Sequence, residues 1–273
     1  MQVSQLFIYP IKSLGGISIS SAELTDRGFK YDRRWMLIDQ KNNFLTQREH
    51  PQMSLLQVTL TDGGLQVLHK INKQSIHISF TPETEEMVTA SVWSFKGKVQ
   101  FVSVKADEWF SEMLSKPCRL VYMPDKTRRR INPFYAVNKD INSLSDGYPM
   151  LMIGENSLKD LNERLKEPVP MDRFRPNIIF KEGKPFEEDT MAIFEINEIT
   201  FFGVKLCARC VITTIDQETA EKNKEPLKTL ATYRKKNSKI YFGQNVIHGG
   251  IGTITIGDTI KVIKTKRRKI IVR

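Results

Sequence analysis

The chain is poor in cysteine, poor in histidine and without long apolar runs. Three cysteines, Cys118, Cys207 and Cys210, occur in 273 residues. That number excludes a disulfide framework and a four-cysteine zinc or iron–sulfur site within the chain, and it fits a reducing compartment. The four histidines, His50, His69, His77 and His248, do not stand at finger spacing from the Cys207/Cys210 pair, which removes the usual zinc arrangements. No segment approaches the apolar length that spans a bilayer. The opening residues 1–10 lack a basic n-region and a cleavable apolar core and alternate like a strand, so a cytoplasmic location is the expectation.

Positive charge, by contrast, is in excess. The formal net charge is +11, and part of it lies in the tail Lys264-Thr-Lys-Arg-Arg-Lys269 and at Arg273. Such a balance favours anionic partners: phosphate groups, nucleic acid or an acidic protein surface. No aromatic residue interleaves the tail. It therefore lacks a base-stacking platform and reads as a solvated terminal run.

Residues up to about 120 alternate as short strands: Val3–Ile11, Ile17–Leu24, Arg34–Asp39, Leu55–Thr61 and Ser75–Phe80. Asp62-Gly-Gly64 marks a hairpin between Leu56–Thr61 and Leu65–His69, and a second hairpin is expected around Lys96-Gly97-Lys98. A helix over Asp107–Leu114 stops at Pro117. The polar, basic stretch Pro124–Asn142 reads as a connection or an active-site loop. Beyond it, Ser157–Lys166 has helical spacing with a Ser157/Asp160 capping pattern. Strands are expected at Asn177–Phe180, Ile199–Leu206 and Val211–Ile215, and a helix near Pro226. Gly252–Ile256 and Thr259–Ile263 read as a final pair turning at Gly257-Asp258.

The run Lys205-Leu-Cys-Ala-Arg-Cys210-Val-Ile-Thr-Thr-Ile-Asp216 carries the strongest chemical signal. A thiolate is a soft donor suited to thiophilic metals, and the adjacent cation Arg209 would lower the thiol pKa. A free cysteine also serves as a small buried hydrophobe. The C-x-x-C pair enters a β-branched run rather than a helix, which argues against a thioredoxin-like dithiol.

Four words stand in order: Tyr9-Pro-Ile-Lys-Ser13, Asp32-Arg-Arg-Trp35, Phe174-Arg-Pro-Asn177 and Cys207-Ala-Arg-Cys210 with its Thr-Thr-x-Asp continuation. Glu225-Pro-Leu-Lys-Thr-Leu and Gly257-Asp258 add to them. Together they resemble the MOSC proteins with an N-terminal β-barrel domain, the group that includes the mitochondrial amidoxime-reducing components and their bacterial relatives. The resemblance covers nearly the whole chain. It implies a strand-rich α+β fold, with an N-terminal β-barrel domain over residues 1–120 packed against a MOSC domain, a β-barrel with short helices, over residues 121–273. The cofactor site would lie in a cleft between them.

The resemblance further implies a molybdenum pyranopterin cofactor, its metal held by a dithiolene and one protein cysteine. Cys210 matches the ligand position and Cys207 does not. Lys12, Ser13, Arg33, Arg175 and Asn177 match cofactor-contacting positions, and Arg209 adjoins the ligand. The chemistry suits a phosphate and a polar ring, which need cations and hydrogen-bond donors. By residue type alone, Lys12 also reads as a solvated residue, Arg33 with Asp32 as a surface ion pair, Arg175 as stacked on Phe174 or a neighbour, and Asn177 as a turn cap. Asp146, in Ser143-Leu-Ser-Asp-Gly-Tyr-Pro149, matches an acidic position near the metal. A raised pKa would make it a proton donor, while Asp before Gly147 also forms turns.

Family members reduce N-hydroxylated compounds (amidoximes, hydroxylamines, N-hydroxylated bases). Some bacterial relatives append a four-cysteine ferredoxin domain, and no cysteine follows Cys210 here. Electrons are therefore expected from a separate ferredoxin, flavoprotein or cytochrome. Two other readings compete. One is a molybdenum-cofactor carrier or sulfur-transfer module, since MOSC domains also occur in cofactor sulfurases. The other is a non-enzymatic, basic nucleic-acid-binding protein, which accounts for the charge but not for the Cys207–Cys210 run.

Overall fold

In the computed structural model, which describes residues 1–267, strands dominate and the largest sheet draws on residues distant in sequence. Arg268, Lys269 and Arg273 of the basic tail lie outside the described residues. The largest sheet has nine strands. The first strand of the chain, Gln2–Ile8, lies in its interior, antiparallel to both Ile17–Ile19 and Ile178–Lys181. Met150–Gly154 runs parallel to Ile178–Lys181 and antiparallel to Lys239–His248. Lys239–His248 also carries Ile199–Ala208, which leads to Met191–Ile196 and Ile260–Thr265. The N-terminal strand is thus built into a sheet otherwise made mainly of residues after 150.

Period-two burial explains this sheet. Val3, Leu6, Ile8, Met152, Ile178, Phe180, Phe194, Phe201 and Val246 point into one core. A second core lies under the hairpins. Leu56–Thr61, Gly64–His69 and Ser75–Ser79 form a three-stranded antiparallel sheet. Its Val58, Leu65, Val67, Ile76 and Ile78 pack against Ala106 and Phe110 of the helix Val104–Met113. Ser103 caps that helix by accepting from the amide of Ala106, so it starts three residues before the predicted Asp107.

Several expectations from the pattern are corrected. The second hairpin turns at Trp93–Ser94, between Met87–Val92 and Phe95–Phe101, not at Lys96–Lys98. Gly97 lies within the strand because the Phe95 ring covers it: a Cβ there would come within 2.2 Å of that ring. The β-branched run after Cys210 is a short 3-10 helix, Val211–Thr214. Its threonines satisfy backbone carbonyls locally, Thr213 Oγ1 on Cys210 O at 3.1 Å and Thr214 Oγ1 on Val211 O at 2.8 Å. They therefore compete with a sheet ladder.

The helix predicted over Ser157–Lys166 spans Glu155–Asn162, with Gly154 at its N-cap. Ser157 does not cap it; its hydroxyl bonds Glu188 Oε2 at 2.8 Å and accepts from the amide of Phe186. The last two strands do not pair with each other: Gly252–Thr255 joins Ser21–Thr25, and Ile260–Thr265 joins Met191–Ile196. The turn between them is held by the first strand, Val3 donating to Asp258 O and Gly257 to Val3 O, which splays the two apart.

Candidate functional site

One cavity of about 330 Å³ collects Lys12, Ser13, Arg33, Asp146, Arg175, Asn177, Arg209 and Cys210, all the site residues expected from the sequence. They arrive from five segments of the chain: 12–13, 33, 146, 175–177 and 209–210. Lys12 and Ser13 follow the first strand, where Ser13 takes a left-handed backbone (φ 69) and its carbonyl accepts from Gln47 Nε2 at 2.7 Å. Arg33 (φ 49) and Arg175 (φ 55) are left-handed as well. Non-glycine residues adopt that region at a cost of about 1–3 kcal/mol when the surroundings enforce it, and such strain concentrates at functional sites.

Arg33 is not a surface ion pair. Asp32 is buried, and Arg33 Nη1 reaches its carboxylate at 2.6 Å and Asn177 Oδ1 at 3.0 Å, while Nη2 reaches Arg175 O at 3.3 Å. The Asn177 amide nitrogen donates to Phe7 O at 3.1 Å, and its oxygen also accepts from Leu151 N at 3.2 Å. Asn177 is therefore a knot between three segments, with its oxygen fully used. Burial raises the Asp32 pKa, against the opposing pull of Arg33.

Arg175 stacks on a neighbouring ring, that of Tyr9, at 4.3 Å from its centre. Among the described residues no carboxylate hydrogen-bonds its guanidinium. Burial lowers its pKa to about 10, which leaves it cationic at neutral pH. It is a desolvated cation facing the cavity.

Cys210, a half-buried residue, is the N-cap of the 3-10 helix. The cation beside it is not its neighbour. Arg209 turns away: Nη1 donates to Cys207 Sγ at 3.1 Å and Nη2 to Phe174 O at 2.7 Å. This corrects the expectation that Arg209 stabilises the Cys210 thiolate. The cation that reaches Cys210 is Arg48, whose Nε lies 3.3 Å from Cys210 Sγ. Arg209 Nε is buried without a partner among the described residues, and such an orphan donor costs free energy unless a ligand meets it.

Asp146 departs most from expectation. Its Oδ1 accepts from Lys12 Nζ at 2.5 Å and Trp93 Nε1 at 3.2 Å, and its Oδ2 from Arg48 Nη2 at 3.0 Å. Desolvation pushes its pKa up, but the charges of Lys12 and Arg48 outweigh it and hold the group well below the usual carboxylate range. An acid so held stays ionised at neutral pH, so the proton-donor expectation, which needed a raised pKa, does not hold. Lys12 is the complementary group: burial brings its ammonium down to about 8, with Asp146 opposing the shift.

Arg48, Trp93 and Arg129 were missed by the sequence reading. Arg48 lies in a loop after the strand Trp35–Ile38, and nothing in its local spacing marks it. Arg129 comes from the basic stretch that reads as a connection or an active-site loop, and its contacts favour the second. It donates to the carbonyls of Ser143, Ser145 and Asp146, and so folds the loop that presents Asp146. Asp216, which ends the Thr-Thr-x-Asp continuation, pairs with Arg173 at 2.6 Å and accepts from the amides of Glu218 and Thr219. Its part is to shape the segment.

Among the described residues no group of three or more His, Cys, Asp or Glu side chains is placed to hold a metal ion. A metal bound at Cys210 would have to bring most of its other ligands with it.

A strand-rich fold and a cavity in which the thiols Cys207 and Cys210 meet a ring of cations define the class of protein. The profile of the MOSC N-terminal beta barrel domain matches residues 1–117, and that of the MOSC domain matches residues 139–261. The chain belongs to the family of MOSC proteins that carry this N-terminal barrel. It is 33% identical to mitochondrial amidoxime-reducing component 1 of Mus musculus and 32% identical to that of Homo sapiens, in each case over 96% of this chain and 82% of the relative. It is 32% identical to a molybdenum cofactor sulfurase of Oryza sativa subsp. japonica over 89% of this chain, but spans only 32% of that longer protein.

Proposed function

We propose that this protein is a molybdenum-cofactor-dependent reductase of N-hydroxylated compounds that takes its electrons from a separate donor protein. The observation that carries the reading is the pairing of a half-buried cysteine, Cys210, with a cationic cavity that holds Arg175 and whose Arg209 Nε meets no partner among the described residues. That donor set suits an anionic, polar cofactor that arrives with its own metal ligands. The names of the reductase relatives support the substrate class, amidoximes foremost.

Cys210 would supply the soft protein ligand, while Arg175, Arg209, Lys12 and Ser13 would hold the cofactor's phosphate and ring edges. Arg33 and Asn177 keep that wall in place. When bound, the cofactor supplies the two-electron chemistry by which an N–O bond is reduced. For an amidoxime the overall change consumes two electrons and two protons, breaks the N–O bond and releases water and the amidine. Lys12, an ammonium with a pKa of about 8 inside the cavity, is the protein group best matched to give up a proton near neutral pH. Asp146, fixed as a carboxylate, holds Lys12 in position.

The test is conversion of benzamidoxime to benzamidine by protein produced in a cofactor-competent host, with a chemical reductant in place of the donor. Turnover that follows cofactor content is the expected result. A fully loaded protein that reduces no N-hydroxylated compound contradicts the reading. The sulfurase relative favours a second reading, sulfur transfer, for which a labile persulfide on Cys210 without reductase turnover would be the signature.

A further inference from the structure

Asp146 is an acceptor with one place left. An ionised carboxylate offers about four lone-pair positions. Lys12 and Trp93 occupy both on Oδ1, and Arg48 takes one on Oδ2. The side chain is still 53% exposed, and the residue lines the cavity. Three donors fix its orientation, and Arg129 fixes its backbone. What remains is a rigid, negatively charged acceptor aimed at whatever occupies the cavity. It suits a ligand that carries an N–H donor and positive charge.

Trp93 stands beside it. The residue occupies the hairpin turn with a left-handed backbone (φ 56) and is 53% exposed, yet its ring is not loose. Its Nε1 is tied to Asp146, the Arg48 guanidinium lies 4.8 Å from the ring centre, and Phe44 tilts against it at 5.3 Å. An immobilised aromatic surface next to a fixed carboxylate complements a planar apolar group that bears an amidine or guanidine.

We propose that Asp146 and Trp93 form the substrate-selecting wall of the cavity, Asp146 accepting from the NH2 group of an N-hydroxylated amidine or guanidine while Trp93 stacks on its substituent. This rests on the reductase reading above and adds to it which N-hydroxylated compounds are preferred. An amidoxime carries an NH2 group besides the N–OH; a simple arylhydroxylamine does not. The reduction also turns a neutral amidoxime into a strongly basic amidine that takes up a further proton. Positive charge therefore develops beside a carboxylate already oriented for it, which favours this class in the transition state as well as in binding.

The experiment compares wild type, Asp146→Asn and Trp93→Phe as cofactor-loaded protein with a chemical reductant. Benzamidoxime and N-phenylhydroxylamine are the two substrates, and calorimetric titration with benzamidine and its neutral analogue benzamide is the second readout. Asp146→Asn takes the partner from Lys12 and so lowers kcat/KM for both substrates; loss of a hydrogen bond to a charged group predicts a further loss of about tenfold or more for benzamidoxime alone, and loss of the preference for benzamidine over benzamide. Trp93→Phe keeps the ring but loses the Nε1 bond, and is expected to raise KM for benzamidoxime with kcat largely retained. Equal losses on both substrates in Asp146→Asn, with benzamidine binding unchanged, would overturn the proposal. Benzamidine binding that depends on Asp146, in a loaded protein that reduces neither substrate, would support the recognition site and count against the reductase reading alone.

Discussion

Arg48 Nε lies 3.3 Å from Cys210 Sγ, and the same guanidinium reaches Asp146 Oδ2 at 3.0 Å. One side chain thus couples the cysteine in the proposed ligand position to the fixed carboxylate opposite. Thr46 Oγ1 accepts from its Nη1 at 3.1 Å, and Lys222 holds its carbonyl, so its position is set by protein contacts. Charge-assisted hydrogen bonds of this kind contribute about 1.5–3 kcal/mol each. Arg48→Ala is predicted to lower kcat/KM by about tenfold to a hundredfold with little loss of stability. Arg48→Lys, which keeps the charge and loses the fork, should recover only part of it. Unchanged kinetics in Arg48→Ala would remove Arg48 from the site.

Arg33 bears on stability as much as on the site. Its guanidinium neutralises the buried Asp32 and also ties Asn177 and the Arg175 carbonyl. Arg33→Met leaves the Asp32 carboxylate without that cation, and removal of one partner of a buried pair costs about 3–5 kcal/mol. Urea denaturation should show a loss of that order; a change below about 1 kcal/mol would mean that the pair is solvated.

Glu188 sets a pH dependence. It is fully buried, its Oε2 bonds Ser157, and burial followed by the charge of Asp189 raises its pKa to about 8. The unfolded chain has the ordinary value near 4.5. A folded pKa above the unfolded one means that the native state binds the proton more tightly. This group's contribution is therefore fully present below about 4.5 and is lost as pH rises through about 8. Unfolding free energy measured between those limits should fall with pH at up to ~1.4 kcal/mol per unit from this group. Glu188→Gln should flatten that fall. An equal slope in both proteins would show that Glu188 is ionised in the native state.

The net charge of +11 predicts electrostatic docking of an acidic donor protein. Turnover with such a donor should drop steeply as salt rises, while turnover with a small chemical reductant should not. Equal salt responses would contradict docking through charge.

The residues that the sequence made visible share a property: each belongs to a short word whose members stay together in space. Lys12 with Ser13, Arg175 with Asn177, and Arg209 with Cys210 are carried as units on single loops, so local motifs sufficed to bring all eight candidates to one cavity. The hairpin at Asp62–Gly64 was legible for the same reason, since Gly63 supplies the positive φ (82) that the turn needs. Arg48, Trp93 and the state of Asp146 were not legible. They arise from contacts across 162, 53 and 134 positions, on which spacing carries no information. The strand expected after Cys210 failed because threonine hydroxyls offered the backbone a local partner, a choice that β-propensity does not record. The final strand pair failed because the first strand of the chain, far away in sequence, takes the turn between them.

The most direct test of the central claim is the molybdenum content of protein purified from a cofactor-competent host, measured for wild type, Cys210→Ser and Cys207→Ser. The account predicts about one molybdenum per chain in wild type and in Cys207→Ser, and loss or loose retention in Cys210→Ser, as expected when a soft thiolate ligand is removed. No molybdenum in wild type with the host's cofactor supply verified, or loss in Cys207→Ser instead of Cys210→Ser, would contradict it.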